Sequence, residues 1–317
     1  MTGIIGSGFG IYGYLPAVLL EDENVCLLEK ARDNFLRRTE LANFKSKIIW
    51  IKNLKLFLNQ IDTLILSVPP LYQSGILNKS LDYSHIKNII LEKPIAPSPE
   101  KSINILNKLK DLNKNFRIGY SFLYTQWYES LNNQFENRKI DERYDLRIVW
   151  NFKAHHYKNN LGNWKRYYSQ GGSVIRFYGI QLIAVLASLK FNEIVESKII
   201  ELSKDDIPYW KSTSKDVLGN VCHLQIDTDS TEEKFEILLF KKQLGLELLF
   251  SLKTNSPFNY QENTFQNLDS RIPILNKLYN NLKKKNLDEN EFNQYQSINY
   301  LWSSYESFTS FKFEDIN

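Results

Sequence analysis

Glycine placement sets the tightest constraint on this chain. It has 13 glycines in 317 residues, yet Gly3, Gly6, Gly8, Gly10 and Gly13 all fall at its start. They follow a short apolar stretch, residues 2–5, that suits a β-strand. They precede a run carrying Leu15, Val18, Leu19 and Leu20 that suits a helix beginning near Ile11. Glycine lets the backbone of such a turn come close to a ligand, and a helix N-terminus offers unpaired N–H groups and the positive end of its dipole. Gly6-Ser7-Gly8 between strand and helix is therefore a dinucleotide signature, with Gly6, Gly8, Phe9 and Gly10 as the pyrophosphate cradle. The third glycine of the motif is Gly10 or Gly13, depending on register. Glu29 ends the second predicted strand, where a carboxylate accepts hydrogen bonds from ribose hydroxyls and favours NAD. Its neighbours Lys30 and Arg32 suit a 2′-phosphate, so NADP stays open beside NAD.

The pattern downstream extends this reading. Strands are predicted at residues 24–28, 48–51, 63–68, 88–91 and 116–120, with helices over 33–44, 54–60, 72–81 and 99–112 between them. Residues 63–68 form a continuous apolar run, as expected for a parallel strand covered on both faces. Strands alternating with helices imply a doubly wound parallel sheet, a Rossmann domain over residues 1–120. The pattern then changes. Residues 144–152, 193–202, 220–227, 234–241 and 245–252 read as strands, joined by a helix over 172–189 and a helical tail over 272–285 and 289–308. Residues 121–317 are thus expected to form an α+β domain with an open, mainly antiparallel sheet, for substrate binding and oligomerisation.

Composition narrows the classes of function. Lys plus Arg number 40 against 36 Asp plus Glu, a net charge of +4, which lacks the concentrated basic face of a nucleic-acid binder. The two cysteines, Cys26 and Cys222, are too few and too far apart for a disulfide scaffold or a zinc cluster, and no His/Cys/Asp/Glu group has metal spacing. No apolar run has the length of a membrane span. The expectation is a cytoplasmic protein with neither metal nor nucleic-acid partner.

Gly6-Ser7-Gly8-Phe9-Gly10-Ile11-Tyr12-Gly13-Tyr14-Leu15-Pro16-Ala17, Val68-Pro69-Pro70-Leu71-Tyr72-Gln73 and Leu91-Glu92-Lys93-Pro94-Ile95-Ala96 are three motifs in matching order. Together they resemble the glucose–fructose oxidoreductase / inositol dehydrogenase / MocA family. The resemblance implies an NAD(P)-dependent oxidoreductase acting on a sugar, nucleotide-sugar or related polyol or keto compound. It implies that Pro69 and Pro70 shape the nicotinamide wall, that Gln73 stands where the family commonly has His, and that Glu92 and Lys93 reach the cofactor. Lys93 is then the principal catalytic group beside the substrate oxygen, and Pro94 a candidate for a cis peptide. In the second domain, Gly171-Gly172-Ser173-Val174-Ile175-Arg176-Phe177-Tyr178-Gly179-Ile180-Gln181 resembles the family's substrate helix. Here Phe177 replaces the family's Asp and Gln181 its His, while Ala184 stands where a further Asp is often found. Neither Phe nor Gln can serve as a general base. Lys93 is expected to work with Tyr178 or Tyr120, with Gln181 orienting the substrate. Tyr120, Tyr124, His156, Trp164 and Gln181 are the expected substrate-binding residues, and the second-domain sheet the homo-oligomer contact. The alternative is a catalytically inactive cofactor-binding sensor or assembly protein on the same fold.

Overall fold

The computed structural model describes residues 1–139, 141–242, 246–258 and 267–313, with side chains described as far as residue 309. Six strands form the first sheet: β1 (Thr2–Ile5), β2 (Val25–Leu28), β3 (Ile48–Ile51), β4 (Thr63–Leu66), β5 (Asn88–Leu91) and β6 (Asn115–Ile118). Their order is β3-β2-β1-β4-β5-β6 and every pairing is parallel. The expected doubly wound sheet is present. β1, β2 and β4 are buried along their whole length, which is why they read as unbroken apolar runs.

Local chemistry sets the helix starts. The helices of this part are α1 (Leu15–Val18), α2 (Arg32–Leu36), α3 (Leu54–Gln60), α4 (Pro70–Leu81) and α5 (Pro99–Asp111). The Asn53 side chain accepts a hydrogen bond from the Leu56 N–H at 3.0 Å and caps α3. Pro70 opens α4, where its missing N–H costs nothing. The helix expected over residues 33–44 is a correction: α2 ends at Leu36, and a 3-10 segment, Thr39–Lys47, follows. Phe35 and Leu41 are both buried. Six residues apart, they would lie on different faces of one α-helix, so the break at Arg38 is what lets both reach the core.

The rest comprises α6 (Gln126–Glu136), β7 (Arg143–Lys153), α7 (His155–Lys158), α8 (Ile180–Ser188), β8 (Glu193–Glu201), β9 (Tyr209–Lys215), β10 (Val221–Asp227), β11 (Asp229–Lys242), β12 (Leu246–Thr254), α9 (Ile272–Lys284), α10 (Glu289–Phe308) and β13 (Ser310–Phe313). The second sheet runs β12-β11-β7-β10-β9-β8-β13. Its pairings are antiparallel except β10 with β7 and β13 with β8. β9 was not legible in the sequence. It buries Trp210, Ser212 and Ser214 on one face, and two small polar residues hide the alternation.

Packing divides the chain into two units, but not by one cut after residue 120. The first holds Met1–Ala96, Lys101–Tyr124 and Tyr260–Asn293; the second holds Pro97–Glu100, Thr125–Asn259 and Gln294–Asn317. The reason is α9. Its residues Ile272, Leu275, Leu278, Tyr279 and Leu282 are buried in one cluster with Ile4, Leu15, Val18, Val25 and Ile65. Arg117 of β6, wholly buried, fixes the same segment through an ion pair to Glu291 at 2.9 Å.

Candidate active site

In the first unit the sheet order brings the expected cofactor residues together. The segments that follow β2, β1, β4 and β5 start at four neighbouring strand ends. They carry, in that spatial order, Glu29, the Gly6–Gly10 turn, Pro69-Pro70, and Glu92-Lys93-Pro94. The carboxyl ends of parallel strands are where open α/β sheets bind ligands.

The two leading glycines of the turn serve different ends. A Cβ on Gly6 would collide with the Ser67 carbonyl oxygen, so the fold itself demands glycine there. At Gly8 a Cβ would meet nothing within 4 Å. The protein has no packing need for that glycine; open space over a bare backbone is what an approaching pyrophosphate requires. The Gly8 carbonyl accepts the first helical bonds, from Ile11 N–H at 2.9 Å and Tyr12 N–H at 3.2 Å. Residues Gly10–Tyr14 then wind as a π-helical turn, closed by the Leu15 N–H donating to the Gly10 carbonyl five residues back. The Phe9 ring packs in an aromatic cluster with Tyr12 and Tyr14, each 5.4 Å between centroids. The Arg271 guanidinium lies over it at 4.1 Å. Phe9 therefore offers the turn its main chain.

Glu29 is exposed and pairs loosely with Arg32 at 3.8 Å, and Lys30 is exposed beside it. Gln73 is different: it is fully buried, and its Nε2 donates to the carbonyls of Glu92 at 2.8 Å and Ile95 at 3.0 Å. It braces the turn that carries Lys93, which contains a cis Lys93–Pro94 bond. Glu92 accepts a hydrogen bond from the Tyr14 hydroxyl at 2.7 Å. Burial raises the Glu92 carboxyl above the usual range, against the pull of Lys93 and of the Tyr14 hydrogen bond. Tyr120 is buried, and Tyr124 is half-buried against the core cluster.

The second unit gathers the remaining residues on and around another π-helical turn, Val174–Gly179, which leads into α8. Here the expectation of one α-helix over 172–189 is corrected. The wider π winding breaks the four-residue stacking that would align Phe177 with Gln181. Gly172 serves packing: a Cβ there would strike the Trp164 carbonyl. That contact seats Trp164 beside Phe177, with rings 5.1 Å apart, and the Lys165 ammonium lies 5.0 Å from the Phe177 ring. Where the family resemblance would place a carboxylate, Phe177 offers a cation–π face.

Tyr178, half-buried, packs edge-on to Phe177 at 4.7 Å, Phe152 at 5.1 Å and Trp150 at 5.8 Å. The His156 ring is 6.1 Å from that of Tyr178. Burial, then the charges of Lys165 and Arg166, push the His156 pKa down to about 4, so its imidazole is neutral at pH 7. Gln181 is buried in α8. Sequence reasoning passed over Tyr14 and Arg271. Tyr14 stood only as one member of the glycine motif, and Arg271 is distant in the chain from the Phe9 and Tyr12 rings it lies against. Among the described residues, no three His, Cys, Asp or Glu side chains converge as metal ligands, and no helix is long and apolar enough to cross a membrane.

No family model and no curated protein matches the chain. Solved structures do match. KijD10, a 3-ketoreductase from Actinomadura kijaniata in complex with NADP and TDP-benzene, superposes with a TM-score of 0.73 at 10% identity, over 98% of either chain. The WlbA dehydrogenase from Bordetella pertussis, in complex with NADH and UDP-GlcNAcA, gives 0.73 at 10% identity, over 96% of this chain and 94% of that one. An oxidoreductase from Thermotoga maritima gives 0.71 at 17% identity, over 96% and 95%. The chain has the fold of the Gfo/Idh/MocA-type oxidoreductases.

Proposed function

We propose that the chain is an NAD(P)-dependent oxidoreductase whose substrate is a sugar, a nucleotide-sugar or a related keto or polyol compound. The observation that carries this is the row of four neighbouring strand ends bearing Glu29, the glycine turn, Pro69-Pro70 and Lys93. Fold-mates in complex with NADP or NADH lend support. The open space over Gly8 fits a dinucleotide. Gly6, Gly8 and the main chain of Phe9 and Gly10 would hold the pyrophosphate, Glu29 the ribose, and Pro69 and Pro70 the nicotinamide wall. Lys30 would stand beside Glu29 for a 2′-phosphate. A nicotinamide bound there supplies or accepts the hydride. The Lys93 ammonium donates a hydrogen bond to the substrate oxygen as its charge develops, and holds or returns its proton. Tyr178 and Gln181 orient the substrate, with Tyr124, His156 and Trp164 contributing to its binding. For Gln73 and Glu92 the hydrogen-bond partners are internal, so we assign them to bracing the site, while Tyr120 stays among the substrate-binding residues.

The test is a titration with NADH and, separately, NADPH, read by energy transfer from tryptophan to the reduced nicotinamide. Tight binding of either supports the reading, and binding of neither by folded protein overturns it. Lys93→Ala should keep cofactor affinity and lose turnover by about a hundredfold or more; turnover that survives the change refutes the role of Lys93. One observation favours a second reading, a cofactor-binding protein without catalysis: Phe177 and Gln181 are not ionisable. It predicts binding of the same cofactor with no turnover on any sugar-type substrate. We also propose self-association through the second sheet, supported by exposed Leu246 and Leu248 on its edge strand β12. Light scattering should give at least twice the 37.3 kDa chain mass, and a monomer at working concentration contradicts it.

A further inference from the structure

The glycine turn is exposed at Ser7 and Gly8, and the next side chain, that of Phe9, is half-buried. Its ring has a fitted seat. A Cβ on Gly13 would collide with the Phe9 ring, so the ring rests against bare backbone there. The π winding of Gly10–Tyr14 groups residues five apart, and Phe9 meets the Tyr14 ring edge-on at 5.4 Å. A further contact comes from far along the chain: the Arg271 guanidinium lies 4.1 Å from the Phe9 ring centroid. That guanidinium is itself fixed. Its Nε and Nη2 donate to the two carboxylate oxygens of Asp269, each at 2.8 Å, and the Arg271 main-chain N–H donates to the same side chain at 3.0 Å. Arg271 immediately precedes α9, whose apolar side chains are buried in the first core. The Tyr12 ring, 5.4 Å from that of Phe9, carries the Arg38 guanidinium at 4.3 Å. All these residues belong to the first unit. We propose that Arg271 is a positioning residue for the cofactor cradle, acting through Phe9: the guanidinium holds the ring in its seat on Gly13 and so sets the main chain of Gly8 and Phe9 for a pyrophosphate. This rests on the reading of the glycine turn as that cradle.

The turn needs such a hold. Gly6 is pinned by the Ser67 carbonyl, but a Cβ on Gly8 would meet nothing, so Gly8 has no packing of its own to fix it. Glycine has more backbone freedom to lose than any other residue, and a ligand that requires one shape of the turn binds more weakly unless the protein has already fixed that shape. A cation over an aromatic face supplies the attraction. Arginine suits the place because its planar group can grip Asp269 with two N–H bonds and still stack on the ring, which a lysine ammonium cannot do. The segment that closes the first core thereby also sets the shape of the turn.

The test uses the whole protein and two readouts. The first needs no ligand: hydrogen–deuterium exchange at the Ile11 and Tyr12 amides, which bond to the Gly8 carbonyl and so report on the turn. Arg271→Met should speed it by about three- to tenfold, with the amides of α5 unchanged as an internal reference. The second is NADH titration. Arg271→Met should weaken NADH by about three- to tenfold, and Arg271→Lys, which keeps a cation near the ring, by less. Phe9→Leu should weaken it too, and the double variant with Arg271→Met should be no worse than Phe9→Leu alone, because Arg271 acts through the ring. Unchanged exchange at Ile11 and Tyr12 overturns the proposal, as does a lowered melting temperature with wild-type NADH affinity, which makes Arg271 a plain support of α9. Additive losses in the double variant overturn it as well. Should Arg271→Met not fold, Arg271→Lys and Gly13→Ala decide: Gly13→Ala forces the ring from its seat, and wild-type exchange and affinity in both variants refute the proposal. The exchange readout keeps the two questions apart. Faster exchange in Arg271→Met beside a wild type that binds neither NADH nor NADPH leaves the hold on the turn supported and refutes the oxidoreductase reading, and with it the pyrophosphate.

Discussion

Two glycines of one turn make opposite predictions: Gly6 answers to the fold, and under the proposed function Gly8 would answer to a ligand. A methyl group at Gly6 has to displace the Ser67 backbone. Gly6→Ala should therefore destabilise the protein by about 1–3 kcal/mol, the usual cost of overpacking. Gly8→Ala adds a methyl into open space. Its unfolding free energy should stay within about 1 kcal/mol of the wild type, while NADH affinity falls at least tenfold. Denaturant unfolding and the NADH titration, run on the same two variants, read both effects. A Gly8→Ala protein that binds NADH normally removes Gly8 from the cradle. The sequence showed both glycines equally; it could not show that Ser67, brought in by the neighbouring strand, presses on only one of them.

Among the elements, the two π-helical turns stand out, at Gly10–Tyr14 and Val174–Gly179. Each lies at a segment singled out by sequence motif, in keeping with the frequency of π-turns at functional sites. Neither was legible, since the apolar period of a π-turn differs from an α-helix by one residue and both run into ordinary helix. The short helix α7 carries a pH prediction. The His156 pKa is depressed from 6.5 to about 4, so the unfolded chain binds its proton at a higher pH than the folded one. Its stabilising effect is complete above pH 6.5 and is lost as the pH falls toward 4, by about 3 kcal/mol at the low end. Urea unfolding at pH 7 and pH 4.5 should show a smaller acid loss in His156→Gln than in the wild type. An equal loss in the two would place the acid sensitivity on other groups.

For the whole molecule, the decisive event is the return of residues 267–293 to the first unit. Five large side chains of α9 enter its core. Burying them stabilises the unit by on the order of 10 kcal/mol, comparable with the full stability of a domain. A fragment ending at residue 124 should therefore fail to unfold cooperatively on heating, despite containing every strand of the parallel sheet and every cofactor motif. A sharp calorimetric transition from that fragment would show α9 to be dispensable. The sequence by itself determined the parallel sheet, the glycine turn, the Lys93 turn and most strands of the second sheet. These rest on apolar periodicity and on residues with unusual backbone freedom, both written locally along the chain. Only the tertiary structure decided that α9 closes the first core, that Gln73 and Tyr14 brace the Lys93 turn, and that β10 runs parallel to β7. Each of those depends on contacts between residues far apart in sequence, whose side chains look like ordinary core or surface until the fold sets them side by side.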